Sequence, residues 1–256
     1  MFWSIDSIRT QPIGIGRGPS GKLTHSKAVT LLIFSQWSRF RSEGDFYRLA
    51  EQQLIPFFPN LPSRPQLNPQ FQHLHGNACD FFQHLVLTLG TDDVLYEALD
   101  ATAVVVRDAK RRGESWLVGE ANIGKSNRLG WYRGLKLLLS STSEGIIIGF
   151  RIPEIGTAKL GLYYPINKGF KGKENHHRWT TAYGATVICP SKRNALRPWP
   201  KSLRRWVASI RQIVETVNHK LANTSRLDRK HPHCISGVRT QIAAKVALHN
   251  FCIWLN

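Results

Sequence analysis

The stretch "YEALDATAVVV", residues 96–106, constrains the fold more than any other part of the chain. It is apolar and β-branched over most of its length, which is the composition of a strand. Asp100 interrupts it. A charge in such a strand is costly to remove from water unless it is paired or binds a metal ion. The bland alternative is an Asp at a strand end that faces solvent.

The texture changes at Gly90. Before it, the pattern is helical. "SKAVTLLIFSQWSRF" carries an apolar stripe at helix spacing, and Ser42 with Asp45 three residues on forms a cap for "DFYRLAEQQL". The Pro-rich "IPFFPNLPSRPQLNP" is expected to break the chain, and "FQHLHGNACDFFQHLVLTL" to resume as helix. Residues 1–21 are rich in Gly, Pro and Ser and read as a loose basic arm. "GRGPSGKLT" nearly matches a phosphate-cradling loop, but Leu23 sits where the Mg²⁺-binding hydroxyl belongs.

After Gly90 the strands begin. "RDAKRRGESW" reads as a basic excursion from the first. "GWYRGLKLLLS" and "GIIIGFRI", joined through "STSE" and Gly145, read as a β-hairpin. "KLGLYYPI" and "YGATVICP" are further strand candidates. A helix over 202–221 and an apolar final helix, "SGVRTQIAAKVALHNFCIWL", complete the order.

Charge limits the partners. Lys and Arg total 35 against 17 acids, a net charge of +18. Such an excess points to a polyanion, because basic side chains displace counterions condensed on phosphates. Cys79, Cys189, Cys234 and Cys252 are far apart, so no zinc ribbon or disulfide framework is signalled, and scattered thiols suit a reducing cytoplasm. His176-His177 and His231-x-His233 lack metal-ligand spacing. No apolar stretch reaches the length of a bilayer span, so no membrane association is expected.

One further acid stands out. Glu215 is the sole Asp or Glu between Glu174 and Asp228. It lies roughly 140° from the centre of the apolar stripe on its helix. Arg211, four residues earlier, offers it an exposed ion pair, worth about 0.3–0.5 kcal/mol. Alone, that surface pair would be sufficient explanation. Together with Asp100 it suggests more. A carboxylate on the first strand and another on a late helix is the layout that two-metal phosphoryl transfer needs, because acids remote in sequence must converge on hard cations.

The blocks "EALDATAVVVRDAKRRGESW", "SNRLGWYRGLKLLL", "INKGFKGKENHHRW", "YGATVICPSKRN", "RQIVETVNHKL" and "AAKVALHNFCIWLN" resemble, in this order, those of bacterial insertion-sequence transposases of the DDE superfamily. The resemblance runs from about residue 17 to the end. It implies an α/β fold: a ribonuclease H-like mixed sheet with helices over 91–256, preceded by a small all-helical region over 22–90 that could bind DNA. It implies Asp100 as the first catalytic acid, Glu215 as the last, and Arg211 as the Arg that many members carry four residues before that Glu. The implied activity is metal-dependent DNA cleavage and strand transfer with two Mg²⁺ ions, Asp100 and Glu215 being metal ligands. The implied partners are element-end and target DNA and, on DNA, a second copy of the chain.

The chain departs from the family pattern at two places. The second Asp opens a motif that here reads "INKGF", with Asn167 in its position, and no Asp occurs between Asp108 and Asp228. An amide adds no negative charge, so metal binding and turnover are expected to be weakened. The alternative function is accordingly a catalytically inactive, internally deleted remnant that only binds DNA. The segment between the third and fourth expected strands is also short. A parallel return normally takes a dozen or more residues, so the crossover helix is expected to be missing and one face of the sheet open. DNA-facing positions are expected in three basic clusters beside the proposed acids: Lys110, Arg111 and Arg112; Lys168 and Lys171; and Lys192, Arg193, Arg204 and Arg205.

Overall fold

The structure, a computed structural model, describes residues 23–37, 40–91, 96–108, 117, 121–126, 130–151, 163–165, 177, 181, 186–188, 198–227 and 234–256. Four helices come first. In α1 (His25–Ser35) the near-match to a phosphate loop ends in a helix cap, since the Thr24 side chain accepts the Lys27 N–H at 3.4 Å. In α2 (Glu43–Leu49) the expected cap forms, with the Ser42 hydroxyl accepting the Asp45 N–H at 3.1 Å. A wider π turn, Ala50–Leu54, extends α2.

The Pro-rich stretch differs from expectation. It breaks the chain only as far as Ser63, and α3 (Arg64–His73) starts inside it with Pro65 in its first turn and Pro69 in its body. Pro65 costs little there, because first-turn N–H groups have no helical partner. The Gln66 side chain accepts the Ser63 N–H at 3.3 Å and secures the start. Helix α4 (His75–Thr88) follows, and Gly90 leaves it with φ 67°, a left-handed stop that glycine adopts without strain.

The sheet is built on β3 (Gly130–Ser141), with β1 (Ala98–Asp108) antiparallel along one edge and β2 (Asn122–Ser126) and β4 (Ile147–Arg151) on the other. The expected hairpin of β3 and β4 forms, turning through Gly145 at φ 83°. Strand β2 was not expected. Its sequence "NIGKS" has no apolar alternation, Ile123 in it is exposed, and pairing with the first residues of β3 makes it a strand. The sheet therefore gains a member beyond the basic excursion "RDAKRRGESW", in a stretch where the sequence predicts no element. Two short strands, β5 (Tyr163–Pro165) and β6 (Thr186–Ile188), pair in parallel, and β5 lies close to β1. The connection expected to lack its crossover helix falls on residues 152–162, which lie outside the described residues.

Two long helices complete the chain: α5 (Lys201–His219), prolonged by a π turn at Lys220–Thr224, and α6 (Ile235–Trp254). Residues paired across an antiparallel ladder share a face. Val104, Leu135, Leu137 and Leu139 lie on one face and belong to the main core. Asp100 pairs with Leu139 and so shares that face. On the other face Lys136 is exposed, and Ala101, Ala103 and Leu138 are half-buried. Helix α5 packs on β1 and β3. Helix α6 packs against α1, α3, α4 and β4, so one continuous core joins the N-terminal helices, the sheet and the C-terminal helix.

Candidate functional site

The carboxyl of Asp100 meets the flank of α5. The strand contributes Asp100 to the core-side face, and α5 crosses that face with Val207, Ile210, Val214 and Val217 buried beneath it. Ile210 and Val214 pack with Ala98 and Tyr96 at the start of β1, which fixes the helix over the strand. Tyr96 and Trp206 add an edge-to-face contact with ring centroids 5.4 Å apart.

Asn218 is the residue of α5 that touches Asp100. Its Nδ2 donates to Asp100 Oδ2 at 3.0 Å. One turn earlier on the helix is Glu215, and one turn before that is Arg211. Arg211 Nη2 donates to Glu215 Oε1 at 2.7 Å, in the i,i+4 ion pair that the sequence offers. Residues three apart on a helix have Cβ atoms roughly 5–6 Å apart. Because Asn218 touches Asp100, Glu215, one helix turn away, brings its charge near Asp100. The two acids lie on the same side of the molecule, on facing elements.

The electrostatics follow from burial. Loss of water pushes the Asp100 carboxyl above the usual carboxylate range. The Ala101 backbone N–H, the Arg211 guanidinium and the Asn218 amide oppose that shift, while the Glu215 charge adds to it. Glu215 is the more solvent-exposed acid, with 54% of its side chain accessible. The arrangement is a half-buried carboxyl with a solvated one beside it, bracketed by one cation.

Of the other positions singled out in the sequence, Arg204 and Arg205 are described, exposed in the first turns of α5 beside exposed Lys201. Asn167, Lys110, Arg111, Arg112, Lys168, Lys171, Lys192 and Arg193 lie outside the described residues. Asn218 was not singled out, although the sequence carries a signal for it. It sits four residues after Val214 and three before Leu221, on the apolar stripe, and a polar side chain there must find a partner.

In type, the donors suit a hard divalent cation. Asp100 and Glu215 bring carboxylate oxygens, and Asn218 Oδ1 is a buried oxygen with no hydrogen-bond partner. Among the described residues no group of three or more His, Cys, Asp or Glu side chains comes together, so the anionic donors here are two. Among the described residues no helix is long and apolar enough to cross a membrane. Comparison with protein-family models, curated proteins and solved structures returns no match for this chain.

Proposed function

We propose that the chain is a DDE-type transposase of an insertion sequence with a ribonuclease H-like catalytic core. The observation that carries this reading is the convergence of Asp100 and the Glu215 turn of α5, two positions remote in sequence. The strand arrangement supports it. In a ribonuclease H-like sheet the fourth strand returns to lie beside the first, and here β5 lies close to β1 and runs parallel to β6.

On this reading Asp100 and Glu215 hold Mg²⁺, which when bound stabilises charge on the attacking and leaving oxygens of a phosphodiester. Arg211 orients Glu215 through its ion pair. Asp100, held on a strand within the core, gives the site a rigid base. Arg204 and Arg205 on the exposed start of α5 contact DNA phosphates, with the basic clusters at Lys110–Arg112, Lys168–Lys171 and Lys192–Arg193 extending that contact. The reaction implied is water attack at an element end, then attack by the freed 3′-hydroxyl on target DNA, carried out by two copies of the chain on DNA.

A second reading has its own support. Asn167 stands where the family pattern has its second Asp, which favours a copy that binds DNA without cutting it. Mg²⁺-dependent nicking of a plasmid bearing the element ends, beside a DNA-binding measurement, separates the two. The transposase reading expects nicking that the double substitution Asp100→Ala and Glu215→Ala abolishes while DNA affinity stays the same or rises. Binding without nicking supports the remnant. Nicking that survives the double substitution overturns the proposed site.

A further inference from the structure

We propose that Asn218 is a positioning residue of this site: its Nδ2 fixes the Asp100 carboxylate, and its Oδ1 would accept a hydrogen bond from a water on the bound cation. The inference rests on the transposase reading and deepens it.

Three observations carry it. Asn218 is 8% exposed, on a helix whose neighbouring buried positions are apolar. A carboxylate can only accept, so the amide must turn its NH₂ toward Asp100, and the 3.0 Å contact sets which end faces which. That leaves Oδ1 buried and without a partner. An orphaned buried acceptor is costly, and native structures keep few of them. Gln36 Oε1, Gln70 Oε1 and Ser141 Oγ are buried without a partner too, but of these four side chains Asn218 is the one that donates to Asp100. It satisfies only the end that touches the proposed metal ligand, and the residue stands one helix turn from Glu215.

Mg²⁺ binds few protein groups and keeps several waters, so an amide oxygen reaching it through water fits its habits. Partners that orient metal ligands typically alter affinity by about 10–100-fold when removed.

The test measures Mn²⁺ binding by water-proton relaxation, together with thermal unfolding with and without Mn²⁺, in the Asn167→Asp chain as reference. Asn218→Ala is expected to weaken Mn²⁺ binding by about tenfold or more. Asn218→Asp, which keeps an oxygen toward the cation and adds charge, is expected to tighten it and to enlarge the rise in Tm that Mn²⁺ produces. Opposite effects from the two substitutions are what a purely structural role does not give. If both variants bind Mn²⁺ like the reference, or both weaken it equally as Tm falls, the inference is overturned. The transposase reading then stands, provided Asp100→Asn removes binding. If Asp100→Asn leaves Mn²⁺ binding of the reference unchanged, the metal site itself is wrong, and both fall.

Discussion

Asn250 on α6 pairs with both backbone groups of Ile147: its Oδ1 accepts the Ile147 N–H at 3.0 Å and its Nδ2 donates to the Ile147 carbonyl at 2.7 Å. The side chain does for the start of β4 what a neighbouring strand would do. It is fully buried, so no water can take its place.

Asn250→Ala is expected to lower stability by about 2–4 kcal/mol, because two buried backbone groups lose their partners at once. Guanidinium unfolding would show it as a lower midpoint at unchanged slope. A midpoint like that of the parent would mean that the pairing contributes nothing.

Gly134→Ala is expected to prevent the sheet from assembling. A Cβ at this position would lie 2.1 Å from the Val104 carbonyl oxygen, a backbone atom that cannot step aside without parting β1 from β3. Gly76→Ala in α4 is the control, since nothing lies within 4 Å of its Cβ position. It should be neutral, or stabilising by about 0.5 kcal/mol. Circular dichroism and soluble yield of the two variants, side by side, test the contrast.

Asp100→Asn is expected to raise Tm at neutral pH. Burial lifts the Asp100 carboxyl above its ordinary value of 3.8, so the folded chain holds this proton more tightly than the unfolded chain. The resulting cost is full above the raised value and fades as pH falls toward 3.8. The gain in Tm from Asn should therefore be present at pH 7 and shrink as the pH approaches 4. Calorimetry at several pH values measures this. A loss of Tm at pH 7 would mean that the ionised carboxylate is a net stabiliser.

On the transposase reading, Asn167→Asp is expected to raise Mg²⁺-dependent nicking by about tenfold or more, a change on the scale of other groups that tune a metal site. Equal, robust nicking by both chains would show that the amide suffices.

Cys79 is expected to resist alkylation. Burial in α4, with Asp80 adding to it, pushes its thiol from 9.0 up to about 11, and the thiolate is the reactive form. At pH 8 iodoacetamide should modify it about 100-fold more slowly than an ordinary cysteine. Site-resolved mass spectrometry against pH measures the rate.

Much of the fold was legible because it rests on local rules. The cap at Ser42 follows from the spacing of one hydroxyl and one acid. The hairpin of β3 and β4 follows from two apolar runs around Gly145. Strand β1 follows from a β-branched run. The start of α3 was misread because Pro usually breaks helices, and here it falls where a helix has N–H groups to spare. Strand β2 was missed because pairing, not its own pattern, holds it in place. At the candidate site, the i,i+4 pairing of Arg211 with Glu215 was legible from spacing, and Asp100 from its place in an apolar strand. Asn218 was hidden among the apolar residues of its helix.

By itself the sequence determined the alternation of helical and strand texture, the strongly basic charge and the presence of one acid inside an apolar strand. Those depend on side chains within a few positions of one another, or on simple sums over the chain. Only the tertiary structure decided that α5 crosses β1 at Asp100, that Asn218 rather than Glu215 touches it, and that α6 joins the N-terminal helices to the sheet in one core. Such contacts link residues more than a hundred positions apart, and they are set by which buried faces fit together, a property no local pattern encodes.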